Sequence, residues 1–179
     1  MQIVIITGMP GAGKSEATQP FIDAGIPVIV MGDVVREETR QRGLEPNPAN
    51  TKAVMLDLRK KHGPGAIALG CIDLLKQSKS PLVVIEGCRS VDEIDVFDDY
   101  ADQVTIICVH SSPAVRFERL KNRQRDDAPP EWSTFRERDI RELSVGLGSV
   151  IALSDIMIVN ECSLPDLRST ISEIMKRFL

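Results

Sequence analysis

The chain has little histidine, no close cysteine pair, no long apolar run and no surplus of positive charge, and each shortage removes a class of function. His62 and His110 are the only histidines, too few for a histidine-rich metal site. The four cysteines, Cys71, Cys88, Cys108 and Cys162, lie too far apart in sequence for a metal knuckle. They read as reduced packing residues, with Cys108 inside the apolar run VTIICV. No apolar stretch approaches the roughly 20 residues that span a bilayer, and the opening MQIVIITG lacks a basic region followed by a cleavage site. No membrane partner and a cytoplasmic location are therefore expected. A net charge of −4 argues against nucleic acid as a partner, because that partner needs a basic face to displace counterions. Internal repeats and low-complexity tracts are missing too.

What is present has ordinary globular proportions, and 179 residues suffice for one buried core but not for two domains and a linker, so residues 1–179 are expected to form a single domain. Apolar, β-branched runs recur at residues 2–6, 27–31, 81–86, 103–109 and 155–159. They are short and continuous, as strands buried on both faces are. Helical patterns separate them, at about 14–23, 33–42, 51–61, 66–77, 113–123 and 133–145. A last one places Leu164, Leu167, Ile171, Ile174, Met175 and Phe178 on one face. This alternation predicts an α/β fold of three layers, α/β/α, around a parallel sheet of about five strands. Two proline-bearing stretches, RGLEPNPAN and QRDDAPPEWST, interrupt it and have the composition of functional loops.

The densest chemical signal is GMPGAGKS, formed by Gly8, Met9, Pro10, Gly11, Ala12, Gly13, Lys14 and Ser15. It satisfies GxxxxGK[ST] directly after an apolar strand and at the start of a helical stretch, the context that makes the motif a phosphate-binding loop. Glycines let successive backbone N–H groups turn inward into an anion nest, which the helix N-terminus completes. ATP is the expected cofactor: Lys14 would reach its outer phosphates, and the Ser15 hydroxyl would ligate Mg²⁺. Glu16 follows at once. Its carboxylate suits the helix dipole but must point away from a triphosphate or be offset by a cation. Glu86 ends the third apolar run, where a carboxylate can hold Mg²⁺ through water, so Ser15 and Glu86 form the predicted metal pair.

Together with MGDVVRE at 31–37 and IEGCRS at 85–90, this loop resembles the nucleoside monophosphate kinases, adenylate kinase above all. The resemblance implies that Arg36 and Arg89 clamp the phosphate of an acceptor nucleotide such as AMP, with Asp33, Glu86, Gly87 and Glu93 around them. Two guanidinium groups can bind one phosphate bidentately, and each here follows the carboxyl end of a strand, where open α/β sheets bind ligands. The family's aspartate gives way to Glu86, its GFPR shortens to GCR, and its base-reading glutamine gives way to Glu93, which can only accept hydrogen bonds. FIDAGIPVIVMGDVVREE and SDIMIVNECSLPDL resemble dephospho-coenzyme A kinase instead. That family's counterpart of Asp33 takes the proton of a ribose hydroxyl; with a phosphate acceptor Asp33 would cap its helix. Over its full length the chain resembles the archaeal adenylate kinase-related group.

The resemblance further implies an acceptor-binding helical insertion over about 33–77 and a short lid over about 116–141. On the lid side, Arg116, Arg119, Arg123 and Arg125 are interleaved with Glu118, Asp126 and Asp127. Arg119 and Arg123, one helical turn apart, can face one ligand, and with Lys14 and Asp33 they form the predicted catalytic set. The expected activity is phosphoryl transfer from ATP to a small nucleotide. Transfer to a ribose hydroxyl, or AMP and ATP sensing without transfer, are the alternatives.

Overall fold

A computed structural model describes residues 1–123 and 128–179. Arg125, Asp126 and Asp127 of the expected lid lie outside the described residues. The elements run β1 (Gln2–Thr7), α1 (Lys14–Asp23), β2 (Val28–Val30), α2 (Met31–Gln41), α3 (Pro48–His62), α4 (Ala66–Gln77) and β3 (Leu82–Glu86). There follow α5 (Val91–Asp98), β4 (Gln103–His110), α6 (Pro113–Asn122), α7 (Trp132–Val145), α8 (Leu147–Ala152), β5 (Ile156–Val159) and α9 (Leu164–Met175). The strands form one sheet in the order β2-β3-β1-β4-β5, and every pairing is parallel.

Alternate residues of each central strand serve opposite faces, which is why these runs are continuously apolar. Ile3, Ile5, Val83 and Ile85 pack with Met31, Val54, Ile67, Leu75 and Phe97 from α2 to α5. Val4, Ile6, Val84 and Ile107 pack with Phe21 of α1 and Leu167, Ile171 and Ile174 of α9. The result is the predicted α/β/α sandwich. Each of the fully buried Ile and Phe side chains contributes about 1.5–3 kcal/mol, so both faces are needed to offset chain entropy.

Helix starts follow local chemistry. Asn47 accepts from Asn50 N–H at 2.9 Å and Pro48 occupies the first turn, so α3 begins earlier than the apolar spacing suggests. Sequence periodicity also passes over α5 and α8. In α5 the signal is a Ser90-x-x-Glu93 capping pattern, with Ser90 Oγ accepting from Glu93 N–H at 3.3 Å. The six residues of α8 are too few to show a helical period. No helix among the described residues is long and apolar enough to cross a membrane.

Candidate functional site

The carboxyl ends of the strands converge on the glycine loop. After β1 the chain crosses to β2, and after β3 it returns past β1 to β4, so a crevice opens between β1 and β3. Gly87 N–H donates to Ile6 O at 3.1 Å and Thr7 Oγ1 donates to Cys88 O at 2.9 Å, fixing the β3 loop beside the glycine loop.

The glycines of that loop are demanded by packing as well as by curl. At Gly8, with φ of 142°, a Cβ would stand 2.2 Å from Val109 O; at Gly13, with φ of 105°, it would stand 2.4 Å from Asn160 Nδ2. Asn160 in turn donates to Ala12 O at 2.8 Å, tying the end of β5 to the loop. Helix α1 leaves its first N–H groups, those of Lys14 and Ser15 among them, without a carbonyl one turn back. Lys14 Nζ arches over the loop and donates to Gly8 O at 2.8 Å and to Met9 O at 3.3 Å. Burial pulls this ammonium from its ordinary 10.5 down to about 8; Glu86 opposes the shift, Arg89 adds to it, Glu142 opposes it and Arg138 adds. Oxyanions have a preformed cradle here.

Ser15 Oγ donates to Glu86 Oε1 at 3.1 Å across the crevice. Two oxygens bound side by side on an octahedral Mg²⁺ stand about 2.9 Å apart, so this hard-oxygen pair fits that ion. Glu16 pairs with Arg168 of α9 at 2.9 Å, so its charge is offset by a cation. Its backbone N–H is used by Gly13 O at 3.1 Å.

On the other side the predicted residues are placed less simply. Asp33 does not cap α2. Val30 holds the N-cap position because β2 runs straight into the helix, and Asp33, inside the first turn, accepts from Arg36 Nε at 2.9 Å. The Arg36 guanidinium folds back over Gly32, where a Cβ would lie 3.3 Å from Nη1. Arg89 meets Glu142 of α7 at 3.3 Å. Glu93 is buried, and both its oxygens are taken: Arg59 Nη2 donates to one and Arg89 N–H to the other, each at 2.8 Å. It therefore holds the Arg89 loop to α3 and does not present a free acceptor to a base.

Arg119 donates to Ser111 Oγ at 2.9 Å, close behind the glycine loop, and shares a groove along α6 with Arg123. Arg116 is buried and serves as an anchor. It makes two bonds to Asp139, at 2.8 and 2.6 Å, and donates to Pro10 O and Ser111 O, each at 3.1 Å. The residues that sequence reasoning passed over are Arg138 and Glu142. Their four-residue spacing in RERDIRE places them on one face of α7, and both act electrostatically on Lys14.

Strand, glycine loop, helix and the Ser15–Glu86 contact define a nucleotide-binding P-loop domain of the kinase-like α/β type. The AAA domain family matches residues 7–136, and the chain belongs to it and to the UPF0200 proteins. It is 42% identical to the UPF0200 protein of Thermococcus onnurineus, over 99% of this chain and 98% of the relative. With that of Hyperthermus butylicus it shares 43%, over 98% and 94%. Among solved structures, TT1252 from Thermus thermophilus superposes with a TM-score of 0.70 at 16% identity, over 99% of this chain and 97% of the other. A shikimate kinase from Bacteroides thetaiotaomicron gives 0.62 at 13% identity, over 97% and 98%. Those two likenesses establish the fold.

Proposed function

We propose that the protein is an ATP-dependent phosphotransferase of the nucleoside monophosphate kinase type, with AMP as the favoured acceptor. The observation that carries this reading is the Ser15–Glu86 contact at 3.1 Å beside Lys14, which joins a phosphate cradle to a cation-holding carboxylate at the mouth of the sheet. In this reading residues 33–77 form the acceptor side and 116–141 a lid, within one domain. Lys14 and the loop N–H groups bind the β- and γ-phosphates of ATP, while Arg36 and Arg89 orient the phosphate of AMP. Ser15 and Glu86 would hold a Mg²⁺ ion, whose chemistry there would be to neutralise phosphate charge. An oxygen of the AMP phosphate forms a bond to the γ-phosphorus as the β–γ bridging bond breaks, giving two ADP. A phosphate acceptor carries no proton that must be removed, so the chain's contribution is positioning and neutralisation of charge. Arg119, Arg123 and Arg138 lie on the elements that would exclude water around that event.

The test supplies ATP and Mg²⁺ with each nucleoside monophosphate, and separately with dephospho-coenzyme A, and follows products by chromatography. ADP should form from AMP. Lys14→Ala should reduce turnover by at least about a hundredfold, the scale of losing one group that stabilises transition-state charge. Wild-type turnover in that variant would sink the mechanism. Product from dephospho-coenzyme A alone would make the acceptor a hydroxyl.

A further inference from the structure

We propose that Glu142 is a displaceable counter-ion of Arg89: its carboxylate occupies the arginine and competes with the acceptor's phosphate, which displaces it, whereas a neutral molecule does not. This deepens the reading of Arg89 as an acceptor group and rests on it.

Arg116–Asp139 and Arg89–Glu142 both join the β3–α6 region to α7, and they are built differently. Arg116 and Asp139 are both buried and meet through two short bonds, at 2.8 and 2.6 Å. Such a pair is permanent, because neither charge has solvent to return to. Arg89 approaches Glu142 through Nε at 3.3 Å, with the arginine side chain 42% exposed and the carboxylate 14% exposed. The arginine side chain is therefore partly open to solvent while its carboxylate partner stays embedded. A bidentate oxyanion offers this guanidinium better geometry than a single long contact does.

The position of Glu142 also matters. It acts on Lys14 with the sign opposite to that of Arg89 and Arg138, so it stands within electrostatic reach of both the donor lysine and the acceptor arginine. The Arg89 backbone, meanwhile, is fixed by Glu93, and Glu93 by Arg59. Exchanging partners requires movement of side chains only. A phosphate replaces one anion with another on Arg89, whereas a hydroxyl brings no charge and leaves Glu142 where it is.

The experiment is calorimetric titration of the full chain with AMP, inorganic phosphate and adenosine. It compares the wild type with Glu142→Gln, Arg89→Ala and the double variant. Removing the competing charge should tighten AMP and phosphate by about 3- to 10-fold, the range of a partly exposed ion pair, and leave adenosine unchanged. The double variant should bind no better than Arg89→Ala, which marks the gain as acting through that arginine. Glu142→Ala serves the same comparison if Glu142→Gln does not fold. Unchanged or weaker AMP and phosphate binding in a folded variant overturns the proposal, whatever kinase assays show. An Arg89-dependent gain for inorganic phosphate in a protein that phosphorylates no acceptor would support it while removing the kinase assignment.

Discussion

Lys14 meets two opposing demands at the scale of a single residue. The glycine loop desolvates its ammonium and lowers it to about 8, yet a triphosphate needs it charged. In the unfolded chain the group titrates near 10.5, so between pH 8 and 10.5 the unfolded state binds more protons and this lysine's contribution to stability rises with pH. Ligand binding runs the other way. Bound triphosphate favours the charged form, so affinity is full below pH 8 and declines above it. ATP should bind about tenfold more weakly at pH 9 than at pH 7, measured by calorimetry, and Lys14→Met should show a flat profile over that range. The residue types of the donor side were legible because GxxxxGK[ST] dictates backbone curl, charge and hydroxyl within eight consecutive positions. Glu93 was not. Its spacing from Arg89 suits a base-reading side chain, but its role depends on Arg59, 34 residues earlier, and no local pattern announces that partner.

At the scale of elements, the α6–α7 pair combines a fixed part with parts that reach the site. Phe117, Trp132 and Phe135 stack edge to face or tilted, with centroids 5.1 to 5.6 Å apart. Arg116 lies 4.9 Å over Phe135 and continues to Pro10 O of the glycine loop. Arg116 thus bolts the start of α6 to the glycine loop, and Arg138 and Glu142 of α7 act electrostatically on Lys14. Asp139→Asn leaves the Arg116 guanidinium buried without its counter-charge, a loss of about 3–5 kcal/mol, read as a lower denaturation midpoint in urea at unchanged slope. The same variant should weaken ATP binding, since Arg116 holds the loop carbonyl at Pro10. Glu142→Gln keeps the shape of the side chain and leaves Arg89 partly open to solvent, so it should cost no more than about 1 kcal/mol. Strands and long helices were readable because each displays its period over several residues. α8 shows too little of a period, and the direction in which α7 presents Arg138 follows from packing against α6.

In the whole molecule the crevice between β1 and β3 has the sheet's two cores behind it, and the proposed function puts one ligand on each side of that crevice. The glycine loop is secured from α1, α6 and the end of β5, whereas Arg36 and Arg89 are secured from α2, α3 and α7. Because each ligand would occupy its own set of cationic groups, donor and acceptor should each stabilise the fold. A ligand present at a hundred times its Kd adds about 2.7 kcal/mol, which for a chain of this size raises the thermal midpoint by about 5–10 °C. ATP with Mg²⁺ and AMP should each produce a shift in scanning calorimetry. An ATP analogue that cannot transfer its phosphoryl group, given together with AMP, should produce nearly the sum. Lys14→Ala should lose the ATP shift and keep the AMP shift, and Arg89→Ala should do the reverse. If both nucleotides competed for the glycine loop, the combined shift would not exceed the larger one and Lys14→Ala would remove both. The crevice would then hold one nucleotide, and the phosphoryl acceptor would have to be sought elsewhere on the molecule.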